Sequence, residues 1–249
     1  MDCLEGLKQI GDQSVDCVIT DPPYFLGFKS TGKELGREDW GNQSLLAPIF
    51  DALFKELARV LKPNGRIFMF THWKTYPALY LSAIKHIRVS NLIVWDFEWI
   101  KAGRQFRFTH ELILHATMPE AVSPKNRGTS DVWRIKPVNH TRPRLHLAQK
   151  PVEIIRRMLE ETTEPGDLIL DCFMGSGTTA VACKQTNRNF IGFEIRQDFV
   201  EVANKRLELE CQQDSTTNAH GTNRRLPPKT ATRSRQESKE PMVSKRPVN

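Results

Sequence analysis

Long hydrophobic runs and paired cysteines are both missing from this sequence of 249 residues. No apolar stretch approaches the ~20 residues that a membrane-spanning helix needs. The opening segment, MDCLEGLKQ, has no basic region followed by an apolar one, so a secretory signal is not expected. The five cysteines include no Cys-x-x-Cys pair, which argues against a disulfide framework and a zinc site. These absences predict a protein of the reducing cytoplasm without a structural metal.

Acidic residues are scarce in two segments of a chain whose overall net charge is +7. Residues 211–249 contain eight Lys or Arg against three Asp or Glu, and residues 123–152 contain seven against Asp131 alone. Such an excess is typical of a solvated surface or of a surface that binds a polyanion such as nucleic acid. Residues 211–249 are also rich in Ser, Thr, Asn and Pro, which predicts a basic disordered tail after a domain formed by residues 1–210.

Apolar residues recur with alternating strand and helix periods up to residue 210. The alternation predicts a mainly parallel α/β sheet covered by helices on both faces. The predicted strands are 15–20, 66–70, 91–97, 107–117, 168–173 and 189–195, and the predicted helices are 4–13, 45–61, 75–87, 151–161, 175–186 and 198–210. Gly65, in KPNG, is expected to end the second helix in a left-handed conformation. Residues 25–43 are expected to form a mobile loop, and residues 118–146 an inserted loop or small lobe.

One motif, DLILDCFMGSGTTAVA at residues 167–182, has the pattern of a nucleotide-binding turn. A buried strand ends at Asp171, and Gly175 and Gly177 open a helix whose free N–H groups can face a ligand. Glu194 ends the next strand, where a carboxylate can bind both hydroxyls of a ribose. The same glycine spacing also occurs in plain strand-to-helix turns and in dinucleotide-dependent dehydrogenases. Asp171 favours S-adenosylmethionine over NAD, because an acid there repels a pyrophosphate and tolerates a cationic methionine group.

A second motif, DPPY at residues 21–24, suits the methylation of an exocyclic amine on a nucleic-acid base. The lone pair of such an amine is delocalised into the ring, so the nitrogen is a poor nucleophile. Asp21 can accept one N–H bond, and the carbonyl of Pro22, whose backbone is restricted by Pro23, can accept the other. These acceptors would localise the lone pair toward a methyl donor. Tyr24 can stack on a base drawn out of the duplex.

Asp-Pro-Pro-Tyr and Asp-Cys-Phe-Met-Gly-Ser-Gly-Thr-Thr together resemble the signature motifs of the DNA amino-methyltransferases, the N4/N6 family. The catalytic motif comes first, as in the permuted β group of that family, and the resemblance covers most of residues 2–209. It implies a seven-stranded, Rossmann-like, S-adenosylmethionine-dependent methyltransferase sheet with circularly permuted motif order. It also implies a small inserted target-recognition region at residues 116–146. LKPNGRIFMF and HLAQKPVEIIRRML are similar to further segments of the family.

The resemblance further implies roles for individual residues. The catalytic residues would be Asp21, Pro22, Pro23 and Tyr24. The cofactor would be S-adenosylmethionine, with Gln149 and Lys150 helping to close over it. The full set of residues expected to contact the cofactor is Asp171, Phe173, Gly175, Ser176, Gly177, Thr178, Thr179, Glu194, Asp2, Cys3, Gln149 and Lys150. The partner would be double-stranded DNA, and the cationic residues expected to contact it are Arg104, Arg107, Arg134, Lys136, Arg142 and Arg144.

Adenine N6 is the expected methyl acceptor, because Asp is typical of the first motif position in adenine enzymes and Ser is usual in cytosine-N4 enzymes. The order of the motifs argues against ribosomal-RNA and protein-glutamine methyltransferases, in which the cofactor loop usually comes first. Cytosine-N4 methylation and a non-catalytic DNA-binding protein with a decayed fold stay open as alternatives. A restriction endonuclease partner and a homodimer stay open as well. The resemblance implies a prokaryotic or phage-encoded protein.

Three remaining features lead to smaller expectations. Members of the family usually have a strand before the acid aligned with Asp2, so we expect the coding region to begin upstream of this sequence; the alternative is a missing edge strand. His110 and His115 in HELILH lie on a predicted strand, which argues against the helical zinc motif HExxH. The tryptophans expected in the core or the pocket wall are Trp73, Trp95 and Trp99.

Overall fold

The structure is a computed structural model that describes residues 1–23, 46–101, 105–138 and 149–219, with only the backbone described for residues 210–219. Its strands are β1 (Val15–Thr20), β2 (Leu61–Thr71), β3 (Arg88–Asp96), β4 (His110–Thr117), β5 (Val132–Arg134), β6 (Leu168–Asp171) and β7 (Asn189–Gly192). Its helices are α1 (Cys3–Leu7), α2 (Leu46–Val60), α3 (Tyr76–Ala83), α4 (Val152–Thr162), α5 (Thr178–Gln185) and α6 (Gln197–Ala219). No helix in these ranges combines the length and apolar character needed to cross a membrane.

The strands of the described residues form one seven-stranded sheet in the order β5-β3-β4-β2-β1-β6-β7. Neighbours run parallel except at β4, which is antiparallel to both β2 and β3. The carboxyl ends of the parallel strands therefore share one edge with the beginning of β4. The register shows this directly, because Thr71 at the end of β2 pairs with Leu112, and Asp96 at the end of β3 pairs with His110. The mainly parallel sheet expected from the sequence is confirmed.

Helices cover both faces of the sheet. Successive side chains of β1 and β2 point to opposite faces and are buried under different helices. On one face, Val18 and Ile67 pack in the same cluster as the apolar residues of α2. On the other face, Ile19 and Phe68 pack in the same cluster as those of α4. The buried residues of the two helices are Leu46, Phe50, Leu53, Phe54, Leu57 and Val60 in α2, and Ile154, Ile155, Met158 and Leu159 in α4. This spacing of three to four residues is that of an amphipathic helix on a sheet.

Strands β1 and β6 are direct neighbours, and this places the two sequence motifs side by side. Cys17 pairs with Ile169 and Val18 pairs with Leu170. Because the strands are parallel, the residues that follow them emerge at the same edge. Thr20 and Asp171, which are 151 positions apart in the sequence, are joined there by a hydrogen bond.

The structure differs from the sequence-based expectation around Gly65. KPNG does not end a helix, because α2 ends at Val60 and β2 begins at once with Leu61, which is fully buried and pairs with Val15. The glycines of positive φ in the described residues are Gly166, Gly175 and Gly177, so the predicted left-handed conformation of Gly65 was wrong.

Part of the predicted insertion at residues 116–146 belongs to the sheet, while its role in target recognition stays a prediction. Residues 116 and 117 belong to β4, and residues 132–134 form β5, which pairs with β3 at the edge of the sheet. The indole of Trp133 is 5 % exposed, so β5 is anchored in the core and is not part of a separate lobe. Residues 139–146 lie outside the described part of the chain.

Two further expectations were wrong in part. Helix α6 continues to Ala219, so residues 211–219 have helical backbone where a disordered tail was predicted. Trp95 is buried as expected, but Trp73 and Trp99 are 54 % and 64 % exposed. The predicted mobile loop at 25–43 and the predicted tail beyond residue 219 lie outside the described residues.

Candidate active site

The segment between β6 and α5, residues 172–177, forms a glycine loop at the carboxyl edge of the sheet. Gly175 and Gly177 have φ angles of +52° and +77°, a region that favours glycine. Among the described residues, a Cβ added to Gly175 would meet only the carbonyl oxygen of Phe173, at 4.0 Å, so this part of the structure leaves the loop open there. A Cβ added to Gly177 would stand 2.7 Å from the Cβ of Ala203 in α6. The first glycine therefore leaves space for a ligand, and the second permits close packing of the loop on α6.

Asp171 joins the glycine loop to β1. Its carboxylate accepts hydrogen bonds from the hydroxyl of Thr20 at 2.9 Å, the hydroxyl of Thr179 at 2.6 Å and the N–H of Phe173 at 3.1 Å. The hydroxyl oxygen of Thr20 in turn accepts a bond from the N–H of Cys172 at 3.1 Å. Asp171 is only 6 % exposed and both of its oxygens bind protein donors. Its role in the structure is to order the loop, and a direct contact with the cofactor stays a prediction.

The protonation of Asp171 should affect stability. Burial raises the pKa of Asp171 to about 6 from an ordinary 3.8, with the hydrogen bond from Thr179 opposing the rise. Between these values the folded state holds a proton that the unfolded chain releases, so stability falls as pH rises through about 6. An Asp171→Asn variant lacks this ionisation. We expect the melting temperature of the variant minus that of the wild type to be higher at pH 8 than at pH 5. Parallel curves of melting temperature against pH would contradict this.

The remaining loop hydroxyls point toward α6. Arg206 donates from Nη1 to the carbonyl oxygen of Ser176 at 2.6 Å, to its hydroxyl at 3.1 Å and to the hydroxyl of Thr178 at 3.2 Å. Ser176 and Thr178 are 4 % and 7 % exposed. These side chains therefore fix the loop on α6, and the backbone of the loop is the part left to approach a ligand.

Glu194, which follows β7, places its carboxylate on the glycine loop. Oε2 accepts a hydrogen bond from the N–H of Gly175 at 2.9 Å, and Oε1 accepts one from the N–H of Arg196 at 2.9 Å. The preceding residue, Phe193, lies against Gly6 of α1, where an added Cβ would be 2.5 Å from the phenyl ring. The end of β7, the start of α1 and the glycine loop are therefore neighbours.

The residues expected near the adenine ring lie at the start of α1. Asp2 caps this helix, since Oδ1 accepts hydrogen bonds from the N–H groups of Leu4 at 2.9 Å and Glu5 at 3.3 Å. Cys3 is partly buried, and burial together with the charge of Asp2 raises the pKa of its thiol to about 11. The thiol is therefore neutral and no nucleophile at physiological pH. Contacts of Asp2, Cys3 and the partly buried Gln149 with a cofactor stay predictions.

Asp21 follows β1 at the same edge. Its Oδ2 accepts a hydrogen bond from Nζ of Lys150 at 2.6 Å. Its Oδ1 is buried and has no hydrogen-bond partner among the described residues. A buried acceptor without a donor is unfavourable by about 1–3 kcal/mol, so this oxygen is poised for a donor from a ligand. Pro22 is buried and Pro23 exposed, and Tyr24 lies outside the described residues.

Lys150 lies between two carboxylates, and its contact with the cofactor, which the family resemblance implied, stays a prediction. Its Nζ is 2.6 Å from Oδ2 of Asp21, 3.1 Å from Oε2 of Glu111 and 4.9 Å from the ring centroid of Phe70. Nζ of Lys101 is 3.5 Å from the other oxygen of Glu111. Burial by itself lowers the pKa of Lys150, but the charges of Asp21 and Glu111 outweigh it and raise the pKa above its ordinary value. Lys150 therefore carries its charge next to Asp21.

Half of the cations expected to contact DNA lie in the described residues. Arg107, Arg134 and Lys136 are all exposed. Arg134 ends β5, with Nε 3.6 Å from Oδ2 of Asp96 at the end of β3, so it lies at the edge that carries Asp21. Arg104, Arg142 and Arg144 lie outside the described residues.

Three residues of the site were not identified from the sequence: Thr20, Glu111 and Arg206. Thr20 directly precedes the DPPY motif, and its position at the end of a predicted strand was the available signal. Glu111 is revealed only by the antiparallel direction of β4, which brings the beginning of this strand to the active edge. Arg206 reaches the loop from a helix about 30 residues later, and its local sequence holds no signal of this contact.

The sheet brings three features to one edge: the glycine loop, Asp21 after the neighbouring strand and Glu194 after β7. This arrangement is that of one class of proteins, the S-adenosylmethionine-dependent methyltransferases. Within this class, the N6/N4 family described as DNA methylase matches residues 15–205, and the chain belongs to that family. The resemblance that the two motifs carry is thereby confirmed, as is the expectation of a DNA methyltransferase.

Two curated relatives are similar to this chain over most of its length. The chain is 30% identical over 237 residues to the type II methyltransferase M.HpaI of Haemophilus parainfluenzae. This alignment covers 83% of this chain and 72% of the relative. It is 27% identical over 242 residues to the DNA adenine methyltransferase YhdJ of Escherichia coli (strain K12), which covers 84% of this chain and 81% of the relative.

Solved structures confirm the fold class. M1.HpyAVI in complex with S-adenosylmethionine aligns with a TM-score of 0.60 at 25% identity, over 82% of this chain and 96% of that one. The cytosine-N4-specific PvuII DNA methyltransferase aligns with a TM-score of 0.67 at 19% identity, over 82% of this chain and 83% of that one. The second likeness shows the fold alone and does not decide which base is methylated.

The residues present fit S-adenosylmethionine. The open space beside Gly175 admits a ligand against the loop backbone. The carboxylate of Glu194, bonded to that same glycine, provides the acceptor oxygens that ribose hydroxyls require. The described residues hold no group of three or more His, Cys, Asp or Glu arranged for a metal ion.

Proposed function

We propose that the protein transfers a methyl group from S-adenosylmethionine to N6 of adenine in double-stranded DNA. The observation that carries this proposal is Oδ1 of Asp21, a buried carboxylate oxygen without a donor in the described residues, beside the glycine loop. An exocyclic amine supplies such a donor. A carboxylate in this position favours adenine over cytosine, and the name of the relative YhdJ, a DNA adenine methyltransferase, supports the same base.

The chain would bind the cofactor through the glycine loop, Glu194 and the start of α1. The space beside Gly175 would receive the methionine side, and Glu194 would accept hydrogen bonds from the ribose. When bound, S-adenosylmethionine supplies an electrophilic methyl carbon, to which the amine nitrogen bonds as the C–S bond breaks and its electron pair stays on sulfur. Asp171 and Thr20 hold the loop at a fixed distance from the residue that follows Thr20, which is Asp21.

Asp21 and Pro22 would prepare the amine for this attack. Oδ1 of Asp21 accepts one N–H of the adenine amine and the carbonyl oxygen of Pro22 accepts the other. Both bonds favour a tetrahedral nitrogen, whose lone pair is localised and more nucleophilic. As the nitrogen becomes positively charged, the carboxylate of Asp21 stabilises it, and the surplus proton leaves through this carboxylate to solvent.

DNA would lie across the same edge of the sheet. Arg107, Arg134 and Lys136, the described cations expected to contact DNA, are exposed, and an exposed aromatic group lies at the same edge. The rings of Trp73 and Phe108 are 54 % and 37 % exposed and flank His72, with centroid distances of 5.7 and 5.8 Å. Lys74 lies over Trp73 at 5.5 Å. Cations beside exposed aromatic rings suit a surface on which bases stack while phosphates are neutralised. We place this activity in the bacterial cytoplasm, where DNA is accessible.

Product analysis tests the proposal. The protein is incubated with labelled S-adenosylmethionine and double-stranded DNA of mixed sequence, and the DNA is then digested to nucleosides. We expect labelled N6-methyladenine. Labelled N4-methylcytosine would show that the substrate base is cytosine and not adenine. Binding of cofactor and DNA without any labelled base would favour the non-catalytic alternative. Mapping methylated bases in a bacterial host that expresses the protein would then give the recognition sequence.

A further inference from the structure

Four charged side chains form a row at the active edge, defined here as the charge row: Asp21, Lys150, Glu111 and Lys101. Consecutive members are 2.6, 3.1 and 3.5 Å apart between their nearest charged atoms. The two central side chains are the least accessible, with 11 % of Lys150 and 19 % of Glu111 exposed. The formal charges of the four cancel. The charge row therefore places a second carboxylate on the ammonium that contacts the proposed catalytic acid.

The direction of β4 explains why Glu111 can reach this position. Glu111 is the second residue of β4, and it pairs with Trp95 near the end of β3. Because β4 alone runs against its neighbours, its beginning lies beside the end of β2, over which Lys150 extends. Nζ of Lys150 contacts the ring of Phe70, so the ammonium crosses the end of β2 from β1 on one side to β4 on the other.

Each central group is ionised because of its neighbours. Burial by itself raises the pKa of Glu111, but the charges of Lys150 and then Lys101 outweigh it and lower the pKa below its ordinary value. Lys150 is held charged by Asp21 and Glu111 in the same way. A change in one of these charges is therefore felt by Asp21 through Lys150, at low solvent exposure, where charges are weakly screened.

The reaction gives this arrangement a consequence. The ammonium of Lys150 on Oδ2 draws negative charge away from the carboxylate that must accept the amine N–H on Oδ1. It also opposes the positive charge that develops on the amine nitrogen. We infer that Glu111 is a positioning residue that balances the charge of Lys150, so that Asp21 remains a strong acceptor for the target amine. This inference rests on the proposed function.

A double-mutant cycle tests the inference by the sign of its effects. The variants are Glu111→Gln, which removes the charge at constant size, Lys150→Met, and their combination. The single-turnover rate of adenine methylation is measured at saturating cofactor and DNA. We expect Glu111→Gln to be slower by about tenfold, within the range found for residues of one ion-pair network. In the Lys150→Met background the ammonium between the two carboxylates is gone, while Lys101 still pairs with Glu111. There Glu111→Gln removes a negative charge near Asp21 and should increase the rate.

Cofactor affinity and the rate of the Glu111→Asp variant separate this role from a structural one. We expect Glu111→Gln to bind S-adenosylmethionine as the wild type does, because the contacts of the Glu111 carboxylate in the described residues are with Lys150 and Lys101 and not with the glycine loop. Glu111→Asp, which keeps the charge, should recover part of the lost rate. Glu164→Gln is the matched control, because Glu164 is 69 % exposed and pairs with Lys125 in the turn before β6.

The results distinguish a failure of the charge-balancing role from a failure of the proposed function. A slower rate in both backgrounds, or equal losses for Glu111→Gln and Glu111→Asp, overturns the charge-balancing role while the proposed function stands. A wild-type protein that methylates no adenine overturns the proposed function, and the inference falls with it. An opposite sign of Glu111→Gln in the two backgrounds, at unchanged cofactor affinity, supports the inference.

Discussion

Replacing Asp21 with alanine is expected to slow methyl transfer by about 10²–10⁴-fold, the usual contribution of a positioned acid or base. The variant loses the buried Oδ1 that accepts the amine N–H, so the lone pair of the exocyclic nitrogen stays delocalised into the ring. Binding of S-adenosylmethionine should change little, because the glycine loop is ordered by Asp171, Thr20 and Thr179. Single-turnover assays and calorimetric titration with the cofactor measure the two properties separately.

Two controls accompany this variant. Asp21→Asn keeps the size and one acceptor oxygen, so it should retain more activity than Asp21→Ala. Asp12→Ala removes an exposed acid that pairs with Arg59 away from the site and should leave the rate unchanged. Lys150 keeps Glu111 as a partner when Asp21 is lost, so its ammonium is not left unpaired. Full activity in Asp21→Ala would exclude the proposed mechanism.

Replacing Gly177 with alanine is expected to have the next largest effect. At φ +77° an alanine carries a backbone strain of about 1–2 kcal/mol. In addition, its Cβ would stand 2.7 Å from the Cβ of Ala203, so either the glycine loop or α6 must move. We expect a melting temperature several degrees lower, with an affinity for S-adenosylmethionine reduced by about tenfold or more, because the loop backbone is displaced.

The chain offers a matched control and a partial rescue for this prediction. Gly11→Ala adds the same methyl group where no atom lies within 4 Å, and it should behave as the wild type. Ala203→Gly, combined with Gly177→Ala, removes the 2.7 Å contact and leaves a tight 3.2 Å contact with the Cα of residue 203 together with the backbone strain. We expect the double variant to recover part of the cofactor affinity. Unchanged affinity in Gly177→Ala alone would show that the loop does not need its position on α6.

The sequence predicted the architecture well because the signals involved are local. Hydrophobic period and glycine placement are properties of short segments, and they located β1, β6, α4 and α5 close to their observed bounds. Strand direction is not such a property. The segment at 107–117 was identified as a strand, but its antiparallel direction depends on pairing with β2 and β3. Likewise, the three residues Val132–Arg134, of which Val132 and Trp133 are apolar, gave too short a pattern to reveal an edge strand.

The candidate site was predictable to a similar extent. The motif residues Asp21, Gly175, Gly177 and Glu194 emerge together at one edge, as parallel neighbours require. The hydrogen bonds and ion pairs of the neighbouring acids were harder to predict from the sequence. Asp171 is turned into the protein because two threonines donate to it, and one of them lies on another strand. The contact of Lys150 with Glu111 depends on the direction of β4, which the sequence alone did not give.

The hydrogen bond between Thr20 and Asp171 has a consequence for folding kinetics. The two residues are 151 positions apart, and the β1–β6 pair that they terminate lies in the interior of the sheet, between β2 and β7. Pairings between segments so distant in sequence require closure of a long loop and form slowly. During synthesis, β1 must wait for β6 to leave the ribosome, with its apolar face and one edge still uncovered. Strand β1 is therefore a part of the nascent chain that depends on protection from aggregation until β6 has been made.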